Sequence, residues 1–139
     1  MDKYFSEFTI VIGGVGGFIA NYLGGWDLLL RCLVLGIIID YATGLLKAIY
    51  NKQLSSEIGF KGIVKKVMAL LVVAFSCLIN QSVGIDTPIR EIVITFLLAN
   101  EGISIIENAI AVGLPLPKKM KDVLIQLRGE SGNDENTTR

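Results

Sequence analysis

Apolar residues run through this chain in four long stretches, separated by short connections rich in glycine or charge. A bilayer core about 30 Å thick is crossed by about 20 mostly apolar helical residues. The stretches 8–25, 26–50, 62–85 and 88–114 meet that length, and the last carries Arg90, Glu91, Glu101 and Glu107 within it. After the fourth stretch, Gly113-Leu-Pro-Leu-Pro117 stops the helix, because proline lacks a donor and restricts the residue before it. Met120, Val123, Leu124 and Leu127 then recur at helical spacing with lysines opposite, the pattern of a short amphipathic helix lying on a membrane surface. The final segment, GESGNDENTTR, has no apolar residue and is expected to be disordered. The expected architecture is an all-α integral membrane protein of about four transmembrane helices, with residues 1–128 forming one membrane domain and 129–139 a polar tail.

Charge distribution orients these spans. Lys52, Lys61, Lys65 and Lys66 stand in the segment 51–66 that leads from the second stretch into the third, and Lys118, Lys119, Lys121 and Arg128 follow the fourth. The connections near Gly24–Asp27 and Gly84–Thr87 contain neither lysine nor arginine. By the positive-inside rule the basic segments are cytoplasmic inner-leaflet anchors, which puts both termini inside. Three spans would strand the second basic group outside, so the charges argue for counting the fourth. The first run is expected to stay with the chain: its flank MDKYFSE is acidic, and GGVGG lies inside the run rather than after it, unlike a cleaved signal peptide.

Composition agrees. Of 139 residues 52% are hydrophobic and 19% charged, too few charges for the surface of a small soluble domain. Thirteen basic and thirteen acidic residues cancel, leaving no bulk field for nucleic acid. The absence of histidine removes the commonest general base and metal ligand. Cys32 and Cys77, set within apolar runs, read as packed thiols. No catalytic, metal-binding or phosphate-loop pattern is present, so the expectation is a non-enzyme without cofactors.

The polar residues inside the spans carry the functional information. At 100° per residue, Gly13, Gly17, Ala20 and Gly24 fall within about 60° of one helical face. Such a face lets backbones approach closely in lipid, either between copies of the chain or against the second span of the same chain. Asp40, near the centre of the second span, would cost about 2.5–3.5 kcal/mol if left facing lipid. With Thr43 and Lys47 on the same face, it reads as part of a polar helix–helix interface, or as a protonated aspartate bonded to backbone. In the fourth span Arg90, Asn100, Glu101, Ser104, Glu107 and Asn108 fall within about 120°. This stripe can meet sister copies or line an aqueous space. It can equally be glue within one bundle, or the polar face of an interfacial helix.

Two segments are more specific. DYATGLLKA (40–48) followed by KQLSSEIGFKGIVKK (52–66), and NEGISIIEN (100–108) followed by GLPLPKK (113–119), resemble the toxin-secretion/phage-lysis holin family of phages and prophages of Gram-positive bacteria. The resemblance covers roughly residues 26–128. It implies a multi-pass protein of the host cytoplasmic membrane that self-associates and, at a set time, opens a lesion. An endolysin or a toxin is then released without required direct contact, and no nucleic acid is involved. The competing readings are a small selective ion channel or proton-coupled transporter, and a non-conducting antiholin or membrane adaptor.

Overall fold

The computed structural model describes residues 2–84 and 87–127, with no strand among them. Its helices are α1 (Asp2–Tyr22), α2 (Leu28–Tyr50), α3 (Ser56–Val83), α4 (Ile89–Ala111) and α5 (Lys118–Leu127). Ile85, Asp86, Arg128 and the tail 129–139 lie outside the described residues, as do the side chains of Leu124 and Leu127.

Local chemistry sets the boundaries. Asp27 starts α2 by accepting a hydrogen bond from the Leu30 amide at 2.9 Å, and Ser55 starts α3 through the Ile58 amide at 3.2 Å. Each side-chain oxygen satisfies one of the orphan donors of a first turn. The Ser55 cap lets α3 begin at Ser56, before residue 62, so Lys61 stands on the same helix as Lys65 and Lys66. At the other ends the chain turns back through left-handed residues. Gly24 (φ 84°) closes α1 and Gly113 (φ 90°) closes α4, while Lys52 (φ 55°) takes that role after α2. The amides of Gly25, Leu114 and Gln53 donate to the carbonyls of Ala20, Ala109 and Ala48 at 2.8–3.0 Å, the bond of a Schellman closure.

α4 is the centre of the bundle. It packs most extensively on α2, then on α3 and α5, whereas α2 and α3 touch only briefly. Leu23, Leu30, Leu33, Ile37, Val73 and Ile94 form the apolar core beneath these contacts. Outward positions such as Leu35, Ile38, Leu71 and Phe75 are large, apolar and more than half exposed. By length and composition α2 and α3 are able to cross a bilayer.

α1 behaves differently from the rest. From Lys3 to Ile19 every residue is exposed, and a Cβ added at Gly13 or Gly17 would meet nothing within 4 Å. The expected packing of this face on the second span of the same chain is therefore not formed. Gly24 also leaves the face. It sits in the turn after α1, where an added Cβ would lie 2.5 Å from Arg90 Nε.

Candidate functional site: a buried charged node under a polar cleft

Three helices each contribute one charge to a single buried node. Asp40 projects from α2 and Glu101 from α4, each 7% exposed, and Lys66 reaches both from α3. The Lys66 ammonium donates hydrogen bonds to Asp40 Oδ2 and to Glu101 Oε2. Asn108, two helical turns beyond Glu101 on α4, completes the set: its Nδ2 donates to Asp40 Oδ1 at 3.3 Å and to Thr43 Oγ1 at 3.1 Å. The Thr43 hydroxyl spends its own proton on the Asp40 carbonyl at 3.0 Å.

Small residues bring the helices close enough for this. The Tyr41 ring lies over Gly59 and Gly62 of α3, where an added Cβ at Gly62 would stand 3.1 Å from Cε2. Gly36 gives α4 similar room, with Leu98 and the Glu101 Cβ against it. Above the node, between α2, α3 and α4, opens a cleft of about 500 Å³. Its walls and mouth include Lys47, Asn51, Gln53, Lys65, Asn100 and Ser104, while Asp40, Lys66 and Glu101 face it from the floor.

The residues expected to form one stripe on the fourth span divide into three places. Asn100, Glu101, Ser104 and Asn108 belong to the cleft and node. Glu107 turns to the surface, half exposed, with its carboxylate 3.4 Å from Lys121 of α5. Arg90 lies about 16 Å from Glu101 along the helix axis, at 1.5 Å per residue, and builds a second node at the opposite end. Its guanidinium donates to the Leu23 carbonyl at 2.7 Å, the Gly25 carbonyl at 3.2 Å and both Asp27 oxygens at 2.7 and 3.2 Å. Its backbone amide donates to Asn80 Oδ1 at 2.9 Å, tying in the end of α3. Hydrogen bonding to Arg90, and secondarily to the Leu30 amide, holds the Asp27 carboxyl below the ordinary carboxylate range.

Two expectations need correction. Lys66, expected as an inner-leaflet anchor, instead has its ammonium bonded to two buried carboxylates of the same chain. The partners of Asp40, Glu101 and Asn108 come from the same chain, so sister copies are not needed to shelter them. Sequence reading missed Lys66 because it counted the lysine with its basic neighbours. The available signal was the narrow face Gly59, Gly62, Lys66, Ala69, Val73 and Ser76, spaced at three or four residues once α3 is started at the Ser55 cap. Of the other proposed anchors, Lys61 pairs with Glu57 at 2.6 Å on the surface. Lys52, Lys118 and Lys119 are exposed. Lys47, expected on the polar face, and Lys65 border the cleft. Among the described residues no group of histidine, cysteine, aspartate and glutamate side chains could hold a metal, and Cys32 and Cys77 are free thiols.

Two helices long and apolar enough to cross a bilayer, an outward apolar surface and charges gathered into internal nodes fit a helical membrane protein. The chain matches the bacteriophage holin family over residues 17–129 and belongs to it. This is a family of pore-forming membrane proteins and not of enzymes. An uncharacterized protein of Listeria monocytogenes is 41% identical over 122 residues, covering 88% of this chain and 87% of the relative. A 14.9 kDa protein of Clostridium perfringens is 39% identical over 108 residues, covering 77% and 82%. A probable holin of Bacillus phage phi105 is 33% identical over 118 residues, covering 85% and 86%. No solved structure matches the chain.

Proposed function

We propose that this chain is a holin that inserts as four helices with both termini in the cytoplasm. It self-associates and opens a lesion through which an endolysin or a toxin passes. Residues 1–128 act as one membrane domain, with 129–139 as a polar tail. The observation that carries the reading is the charged node joining α2, α3 and α4 in a member of the holin family. At bilayer depth, Asp40, Lys66 and Glu101 are tolerable only while they satisfy one another or face water.

The closed state is then a single folded chain, and the open state is one in which α2, α3 and α4 part and turn these groups toward an aqueous space. This replaces a scheme in which polar stripes of neighbouring copies shelter each other at rest. Copies meet instead through α1, whose Gly13 and Gly17 face is bare and suits close backbone approach in lipid. The Lys61, Lys118 and Lys119 side chains and the exposed apolar positions Met120 and Val123 of α5 hold the inner leaflet.

Inducible expression in bacteria, with and without a cytoplasmic endolysin, tests the reading through turbidity and membrane potential. Abrupt lysis that requires the endolysin is expected. Loss of potential without passage of endolysin would assign a small channel instead, and no loss of viability would assign a non-conducting partner. In the same assay Gly13→Leu with Gly17→Leu should delay lysis and abolish cross-linked multimers. Unchanged timing with unchanged cross-linking would remove α1 from the assembly.

A further inference from the structure

The charges of the node do not balance. Two carboxylates, Asp40 and Glu101, share one ammonium, Lys66, and Asp40 also accepts from the neutral Asn108 amide. Among the described residues Lys66 is the one cation paired with either carboxylate. Both acidic side chains are more than nine-tenths buried. An excess charge enclosed at this depth is strongly unfavourable, and a buried acidic group relieves it by neutralisation. Among the described residues, Lys47 and Lys65 share the cleft lining with the node but form no ion pair with either carboxylate. From α2, Tyr41 lines the cleft wall and Lys47 its mouth, and from α3, Lys65 stands at the rim. On α4, Glu107 is turned away toward Lys121 of α5. Both carboxylates line the cleft of about 500 Å³, a space large enough for water, together with Lys47 and Lys65.

We propose that the Asp40–Lys66–Glu101 node is a proton-binding site, which holds one proton on its carboxylate pair in the closed bundle and exchanges it through the cleft. The proposal rests on reading the chain as a membrane-embedded holin. A hydronium ion in the cleft gives its proton to one carboxylate oxygen and leaves as water. The resulting carboxylic acid is neutral and donates its O–H to the other carboxylate, which keeps Lys66 as its counter-ion. Loss of the proton restores one surplus negative charge on the facing sides of α2 and α4. That charge draws water into the cleft and favours separation of the helices. The proton is thus the ligand that holds the bundle shut, and opening is promoted as the pH on the cleft side rises.

The test uses the full-length protein in an ester-free detergent, with infrared detection of the carboxylic acid carbonyl band across pH 5 to 9. The wild type should show a band that disappears with one-proton titration. Glu101→Gln and Asp40→Asn, each leaving one carboxylate for Lys66, should both lack it. In liposomes loaded with a fluorescent dye, wild-type release should rise with pH, by up to tenfold per unit as a single proton leaves, while Glu101→Gln should vary less than twofold. A wild type without the band throughout, or a band kept by both variants, would overturn the proposal. So would release that follows sodium or potassium concentration with the same pH profile in wild type and variant. The two levels separate cleanly. A titrating band with no release at any pH defeats the holin reading and leaves the proton site standing. Release without the band does the reverse.

Discussion

Replacing Lys66 with methionine is the sharpest perturbation of this bundle. Methionine fills a similar volume but removes the ammonium that both Asp40 and Glu101 accept. The two carboxylates have side-chain exposures of only 9% and would face each other without a cation. Removing one partner of a buried ion pair typically costs about 3–5 kcal/mol, because the other charge stays buried and unpaired. Glu101→Gln is the contrasting variant. It keeps the Lys66–Asp40 pair and puts a neutral amide where the closed node carries a protonated carboxyl, so it should cost no more than about 1 kcal/mol, the scale of one hydrogen bond. Cys77, 3% exposed on α3, is a built-in reporter of opening. In a Cys32→Ser background, its modification by a thiol reagent under fast-reclosing conditions tracks the population of open molecules. At tenfold per 1.4 kcal/mol, Lys66→Met should speed labelling on the order of a hundredfold or more, and Glu101→Gln by no more than roughly fivefold. If Lys66→Met labels as slowly as the parent while remaining helical, the node does not hold the three helices together and the closed-state argument fails.

The second node makes its own predictions. Gly24→Ala forces a left-handed residue and drives a methyl into Arg90 Nε, so it should lose roughly 1–3 kcal/mol in thermal or detergent unfolding. Gly25→Ala, equally left-handed but with open space around it, should lose only the backbone part, and an equal loss in both would mean that Arg90 is not displaced. Because Arg90 holds the Asp27 carboxyl below its unfolded range, this contact adds stability that is fully present above about pH 4, the ordinary carboxylate value. That stability is lost as pH falls through the lowered value. Melting curves between pH 2 and 6 should therefore fall more steeply for the wild type than for Asp27→Asn, and parallel curves would refute the coupling.

Much of the local structure is legible from residue type alone. Asp27 before an apolar run, Gly113 ahead of two prolines and the apolar lengths of α2 and α3 follow from capping, backbone conformation and bilayer thickness, none of which needs a neighbour in space. The apolar run alone starts the third span at residue 62, whereas the Ser55 cap carries the helix back to Ser56 through polar residues that hydropathy does not count. Lys52 is a further case: a lysine closes α2 in a conformation usually left to glycine, and nothing in its side chain announces this.

The candidate site was half legible. That Asp40, Glu101 and Asn108 must be sheltered follows from the cost of polar groups at apolar depth, and one chain's sequence is sufficient to say so. Which groups shelter them is a different kind of fact. The cation could have come from Lys47 or from a second copy, and either choice was compatible with helical spacing. Only the packing of α3 across Tyr41, with Gly59 and Gly62 allowing the approach, selects Lys66. The same packing sends Arg90 to the far turn and Glu107 to the surface. Periodicity determines which face of a helix is polar, because it depends on bonds along one chain. The identity of the partner across that face depends on how close two backbones come, and that is settled only when the helices assemble.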